Sequence, residues 1–88
     1  MTDQAPRIEF PCAYPIKIVG DNHAEFVATV VALTQRHAPE VTEGDVEVRE
    51  SRAGKYASVT ITIRATGEAQ LRALHASLQT CALVRLVL

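Results

Sequence analysis

Between Lys55 and Ala65 the chain alternates apolar and polar residues without a break. Ala57, Val59, Ile61, Ile63 and Ala65 take one set of alternate positions; Tyr56, Ser58, Thr60, Thr62 and Arg64 take the other. Successive side chains of an extended strand leave opposite sides of the backbone, so the pattern specifies a β-strand with one aliphatic and one hydroxyl-rich face. Its β-branched residues are stiff at χ1 and sit well on a pleated surface. A strand this long and regular belongs in the interior of a sheet. Helices are expected over its aliphatic side, and solvent or something polar over the other.

The remaining segments supply its neighbours. Tyr14 to Val19 alternates too, with Tyr14, Ile16 and Ile18 inward, Lys17 and Val19 outward, and Pro15 tolerated near the start. Gly20-Asp21-Asn22 reads as a turn. Asn22 and Glu25 have capping-box spacing for a helix from His23 to His37, whose apolar face is Phe26, Val27, Val30, Val31 and Leu33. Pro39 ends that helix by pushing Ala38 out of the helical region. After a connector, Asp45 to Ser51 is a charged strand with Val46 and Val48 inward and Glu47 and Arg49 outward, as suits a sheet edge. Arg52-Ala53-Gly54 is a hairpin turn in which Gly54 supplies a positive φ. A second helix starts at Thr66-Gly67-Glu68, capped by Thr66, and runs to about Gln79 with Leu71, Leu74, His75 and Leu78 on one stripe. The last strand, Leu83 to Leu88, should turn Val84, Leu86 and Leu88 inward and Leu83, Arg85 and Val87 outward.

This order, β-α-β-β-α-β, is the ferredoxin-like split arrangement. Right-handed crossovers then predict an α+β sandwich: a four-stranded antiparallel sheet of spatial order 4-1-3-2 with both helices on one face. Residues 1–9 are polar and contain Pro6, so they should form a flexible arm, with residues 10–88 a single domain to which Phe10-Pro11 pins it.

Composition narrows the function classes. At 88 residues the chain has room for one two-layer core, and its net charge of −1 gives no electrostatic reason to seek nucleic acid or anionic membrane. No apolar run approaches the roughly 20 residues that span a bilayer, and the first residues lack the order of a signal peptide, so the cytoplasm is the expected compartment. Cys12 and Cys81 precede antiparallel neighbours at opposite ends, a separation of roughly 20 Å at the rise of an extended strand. They are expected to remain separate thiols.

No motif marks a reaction. His23, His37 and His75 lack metal-ligand spacing, and no serine or cysteine sits on a nucleophile elbow, so neither a metal, a cofactor nor a catalytic residue is expected. Acylphosphatases share the size and topology, but the loop after the first strand, Gly20-Asp21-Asn22-His23, carries an acid where they need an arginine. Gly54-Lys55-Tyr56-Ala57 echoes an RNA-binding signature. Base stacking needs two or three aromatics on the open face, and only Tyr56 is available. Two sites remain. One is the helix entrance Asp21, Asn22 and His23, where backbone N–H groups could receive an anion. The other is the open sheet face, with Lys17, Arg49, Tyr56, Thr60, Thr62 and Arg85 as its contact residues.

The chain resembles the YbeD-like family of small bacterial proteins. The resemblance rests on Phe10-Pro11, Lys17-Ile18-Val19-Gly20, Gln35-Arg36-His37-Ala38-Pro39, the run Ser51 to Ile63 with its Gly54-Lys55-Tyr56 hairpin, and Val84-Arg85-Leu86-Val87-Leu88. It covers about Phe10 to Leu88 and implies a ferredoxin-like fold similar to ACT regulatory domains, in a setting connected with lipoate metabolism. Many ACT ligand loops read Asp-x-Pro-Gly-x-Leu; here the run Asp21 to Phe26 lacks the Pro-Gly. The expected function is thus a non-catalytic regulatory or adaptor domain acting through an unidentified protein partner, or through a homodimer paired at a sheet edge. The alternative is an ACT-type sensor of an anionic metabolite or amino acid.

Overall fold

Residues 9–88 are described by a computed structural model, so the expected arm, residues 1–9, lies outside them except for Glu9. Six principal elements follow in the expected order: β1 (Cys12–Asp21), α1 (Phe26–His37), β2 (Val46–Glu50), β3 (Tyr56–Ala65), α2 (Glu68–Gln79) and β4 (Val84–Val87). A single 3-10 turn, Glu43–Asp45, precedes β2. The strands form one antiparallel sheet in the order β2-β3-β1-β4, the ferredoxin-like sandwich read from the sequence.

The alternation in β3 sets the two layers. Ala57, Val59, Ile61, Ile63 and Ala65 are all buried, and they join Ile16 and Ile18 of β1 in a core closed by Phe26 and Val30 of α1 and Leu74 and Leu78 of α2. Both helices therefore lie on the aliphatic side. β1 pairs with β3 along ten residues, Cys12 opposite Ala65 to Asp21 opposite Tyr56, which makes β3 and β1 the two interior strands. Ala38 and Val41 are buried as well, so the connector after α1 contributes to the core. Thr34 is the one polar residue buried among the described residues, and its hydroxyl donates to the Val30 carbonyl at 2.8 Å. That bond one turn back removes the penalty a bare hydroxyl would incur there.

Several local expectations change. α1 begins at Phe26, three residues later than expected, with Glu25 as N-cap and no side-chain capping bond. Asn22 does not cap it, because its amide is drawn to the hairpin instead. His23 Nδ1 accepts the Glu25 N–H at 3.0 Å. At α2 the residue before the helix is Gly67, while the N–H and hydroxyl of Thr66 both donate to Gln70 Oε1. His75 is exposed; only Leu74 and Leu78 of its stripe are fully buried. Cys12 and Cys81 are free and half-buried. No helix among the described residues is long and apolar enough to cross a membrane.

The largest change is in β4. Val19 pairs with Leu86 but Gly20 pairs with Val84, so Arg85 is an extra residue, a β-bulge. The bulge reverses parity beyond it. Val87 lies opposite Ile18 and packs against the core, whereas Leu86 lies opposite Val19 and is 49% exposed. The sequence pattern had placed these two the other way round.

Candidate functional site

The helix-free face of the sheet is built by the outward positions of all four strands. Register aligns them in rows: Arg49, Ser58, Val19 and Leu86 in one, and Glu47, Thr60 and Lys17 in the next. Tyr56 stands opposite Asp21, and Thr62 opposite Pro15. Lys17, Arg49, Tyr56, Thr60, Thr62 and Arg85 are thus all brought to this one face. A shallow depression there is lined by Val19, Arg49, Tyr56 and Ser58. Toward β4 the face is apolar, Val19 beside Leu86; toward β2 it is hydroxylic and then charged.

At one end of this face the bulge delivers Arg85 to Asp21. Arg85 Nε donates to Asp21 Oδ1 at 3.0 Å and Nη2 to Oδ2 at 3.4 Å. The carboxylate raises the arginine's pKa above its ordinary value, through the hydrogen bond first and its charge second, so the guanidinium stays protonated. Beside this pair the Lys55 ammonium lies 5.5 Å from the centre of the Tyr56 ring.

The helix entrance is organised by the same end of the sheet. Asp21 is held by Arg85. The Asn22 side-chain amide donates to the Gly54 carbonyl at 2.8 Å and its backbone N–H to the Lys55 carbonyl at 3.1 Å, so Asn22 ties the β2–β3 hairpin to the end of β1. Gly54 adopts φ 74°, the left-handed conformation expected of it, which aims its carbonyl at Asn22. His23 Nδ1 is taken by Glu25. All three side chains at the entrance already have a partner within the chain. Asn22→Ala is expected to lower stability by about 0.5–1.5 kcal/mol, the worth of one such bond, measured by urea denaturation. Hydrogen exchange should also quicken in the Ser51–Tyr56 turn.

The histidines stay apart in their bonding: His37 Nε2 lies 2.8 Å from Ser77 Oγ, linking the two helices, and His75 meets Gln79 on α2. Among the described residues no three His, Cys, Asp or Glu side chains are grouped where they could hold a metal ion. On the helix side, an apolar cleft of about 100 Å³ opens between α2 and the β1–β4 pair, lined by Tyr14, Leu71, Leu78 and Val87 among others. That is well below the roughly 300 Å³ at which pockets begin to enclose a drug-sized ligand. Sequence reasoning missed Leu86 as a surface residue. No local signal could have revealed it, since a bulge is a property of two paired strands.

Comparison with known proteins places this geometry in a family. Two bacterial proteins, each described as a UPF0250 protein, align over their full lengths and that of this chain: one from Azotobacter vinelandii at 47% identity and one from Chromobacterium violaceum at 40%. The solution structure of protein HP0495 from H. pylori superposes with a TM-score of 0.73 over 97% of this chain and 89% of that one. At 14% identity the likeness is one of fold. The family model described as "Protein of unknown function (DUF493)" matches residues 5–88, and with the full-length relatives it shows that the chain belongs to this family, the YbeD-like family its motifs resemble.

Proposed function

We propose that this domain is a non-catalytic regulatory or adaptor module that binds a partner protein through the helix-free face of its sheet. The supporting observation is the composition of that face. An apolar patch on its β4 side, Val19 with the 49% exposed Leu86, is flanked by the hydroxyls of Ser58 and Thr60, by Lys17 and by the Asp21–Arg85 pair. Apolar contact area beside polar groups that can hydrogen-bond is the composition a protein interface uses. Ligand sensing at Asp21, Asn22 and His23 would first require these side chains to leave their present partners; partner docking on the open face requires no such rearrangement.

Affinity capture from cell extract tests the proposal. Leu86→Asp and the pair Thr60→Glu with Arg85→Glu should each lose the partner that the parent protein retains. A change on the exposed side of α2, Arg72→Glu, should leave capture intact. Equal recovery of the same proteins by all these variants would put the contact elsewhere. Enzymes of lipoate metabolism are the first candidates to look for among the captured proteins.

A further inference from the structure

The two edges of the sheet are not equivalent. β4 is four residues long and bulged at Arg85, two features that spoil an edge as a template for another strand. β2, five residues long, has no bulge: it pairs with β3 from Val46 to Glu50 in one uninterrupted register. Among the described residues nothing pairs with its other side. Its backbone phase is fixed by the hairpin. The Ser51 N–H donates to the Tyr56 carbonyl at 2.8 Å, so hydrogen-bonded pairs recur at Arg49 and Glu47. The N–H and C=O groups of Val46, Val48 and Glu50 therefore point outward, away from the sheet. Val48, at the middle of this edge, is 48% exposed.

We infer that the β2 edge pairs with β2 of a second copy of this chain, antiparallel about a two-fold axis at Val48, joining two sheets into one of eight strands. The inference rests on the reading of this domain as an association module, but it concerns an edge and a self-contact, not the open face. Symmetry makes the choice of register narrow. Two-fold antiparallel pairing keeps each side chain on its own face, so β2 can be centred on only one of its five residues. Centring on Val46 sets Glu47 against Asp45 of the other copy. Centring on Glu47, Arg49 or Glu50 sets that residue against itself, like charge on like charge. Centring on Glu47 would also bring Arg49 to Asp45 of the other copy, but only centring on Val48 sets opposite charges together with no like pair, Glu47 against Arg49 of the other copy, twice by symmetry. It also places Val48 against Val48 on the helix side.

The hydrogen-bonding phase agrees with that register. Val48 would exchange both backbone bonds with its symmetry mate, and Val46 would do so with Glu50. Glu47 and Arg49 would then occupy non-hydrogen-bonded positions, where facing side chains approach most closely. Neither has an ion-pair partner among the described residues, whose salt bridges are Arg72–Glu68 and Arg85–Asp21. The cross-copy pair would give each of them one.

Sedimentation equilibrium on the full chain, from about 5 µM to about 500 µM, reads the outcome directly. The parent should pass from one chain to two across that range. Glu47→Arg and Arg49→Glu should each weaken the dimer roughly tenfold or more, since either puts like charges opposite each other twice. The double exchange Glu47→Arg with Arg49→Glu should restore it. Val48→Pro should abolish the dimer with an unchanged far-UV spectrum, because the lost N–H faces solvent and serves no bond within the sheet. A parent that stays a single chain throughout overturns the inference, as does a dimer indifferent to Val48→Pro or not recovered by the double exchange. These masses need no partner protein, so they stand or fall apart from capture by the open face.

Discussion

Gly20→Ala is expected to destabilise the domain by about 3–5 kcal/mol, a cost of overpacking joined to the loss of a backbone hydrogen bond. Gly20 is buried at the point where β4 bulges, and a β-carbon there would run into the Leu83 carbonyl oxygen and the Phe26 ring. The carbonyl cannot move away freely, because it accepts the Asp21 N–H at 2.9 Å. The conformation at Gly20 is not the issue; Gly54 is the glycine with positive φ. The missing side chain at Gly20 is what lets helix and strand close. Against a total stability of about 4–13 kcal/mol for a chain of this size, the change approaches unfolding. Urea denaturation followed by far-UV circular dichroism measures it. A loss under about 1 kcal/mol would show that the site is looser than its contacts suggest.

Phe26→Ala should cost about 3–5 kcal/mol, the range for emptying a fully buried phenylalanine site. Phe26 is the first residue of α1, is wholly buried, and its ring occupies the space over Gly20. The midpoint of thermal unfolding should therefore fall by more than about 12 °C. The two substitutions are also expected to couple. In a Phe26→Leu background the ring no longer opposes a β-carbon at position 20, so Gly20→Ala should cost less there by about 1 kcal/mol or more. Strict additivity would mean that the Leu83 carbonyl alone limits the site.

Both predictions concern the junction that also sets the proposed contact face. With Gly20 pressed on Phe26, β4 meets β1 through the Arg85 bulge, and the bulge sends Arg85 to Asp21 and Leu86 to the open side. The helix entrance and the open face are thus neighbours along one strand end, tied by the same few residues. Asn22 extends the tie to the β2–β3 turn through the Gly54 carbonyl.

What the sequence settled by itself was the layering. Alternation along Tyr56–Ala65 and along β1 follows from the covalent geometry of an extended chain, so Ile16, Ile18, Val59, Ile61 and Ile63 could be assigned to the core from spacing alone. The order of elements and the handedness of crossovers then left one arrangement of four strands, which is the arrangement found. What only the tertiary structure decided was everything that depends on a partner distant in sequence. The Val-Arg-Leu-Val run of β4 has no preferred face until β1 fixes where its extra residue goes. Asn22 has a local capping role open to it and a carbonyl 32 residues away, and the fold gives it the second. Local periodicity carries information about which side a residue faces, whereas register and side-chain partners are set by the competition among distant segments once the core has closed.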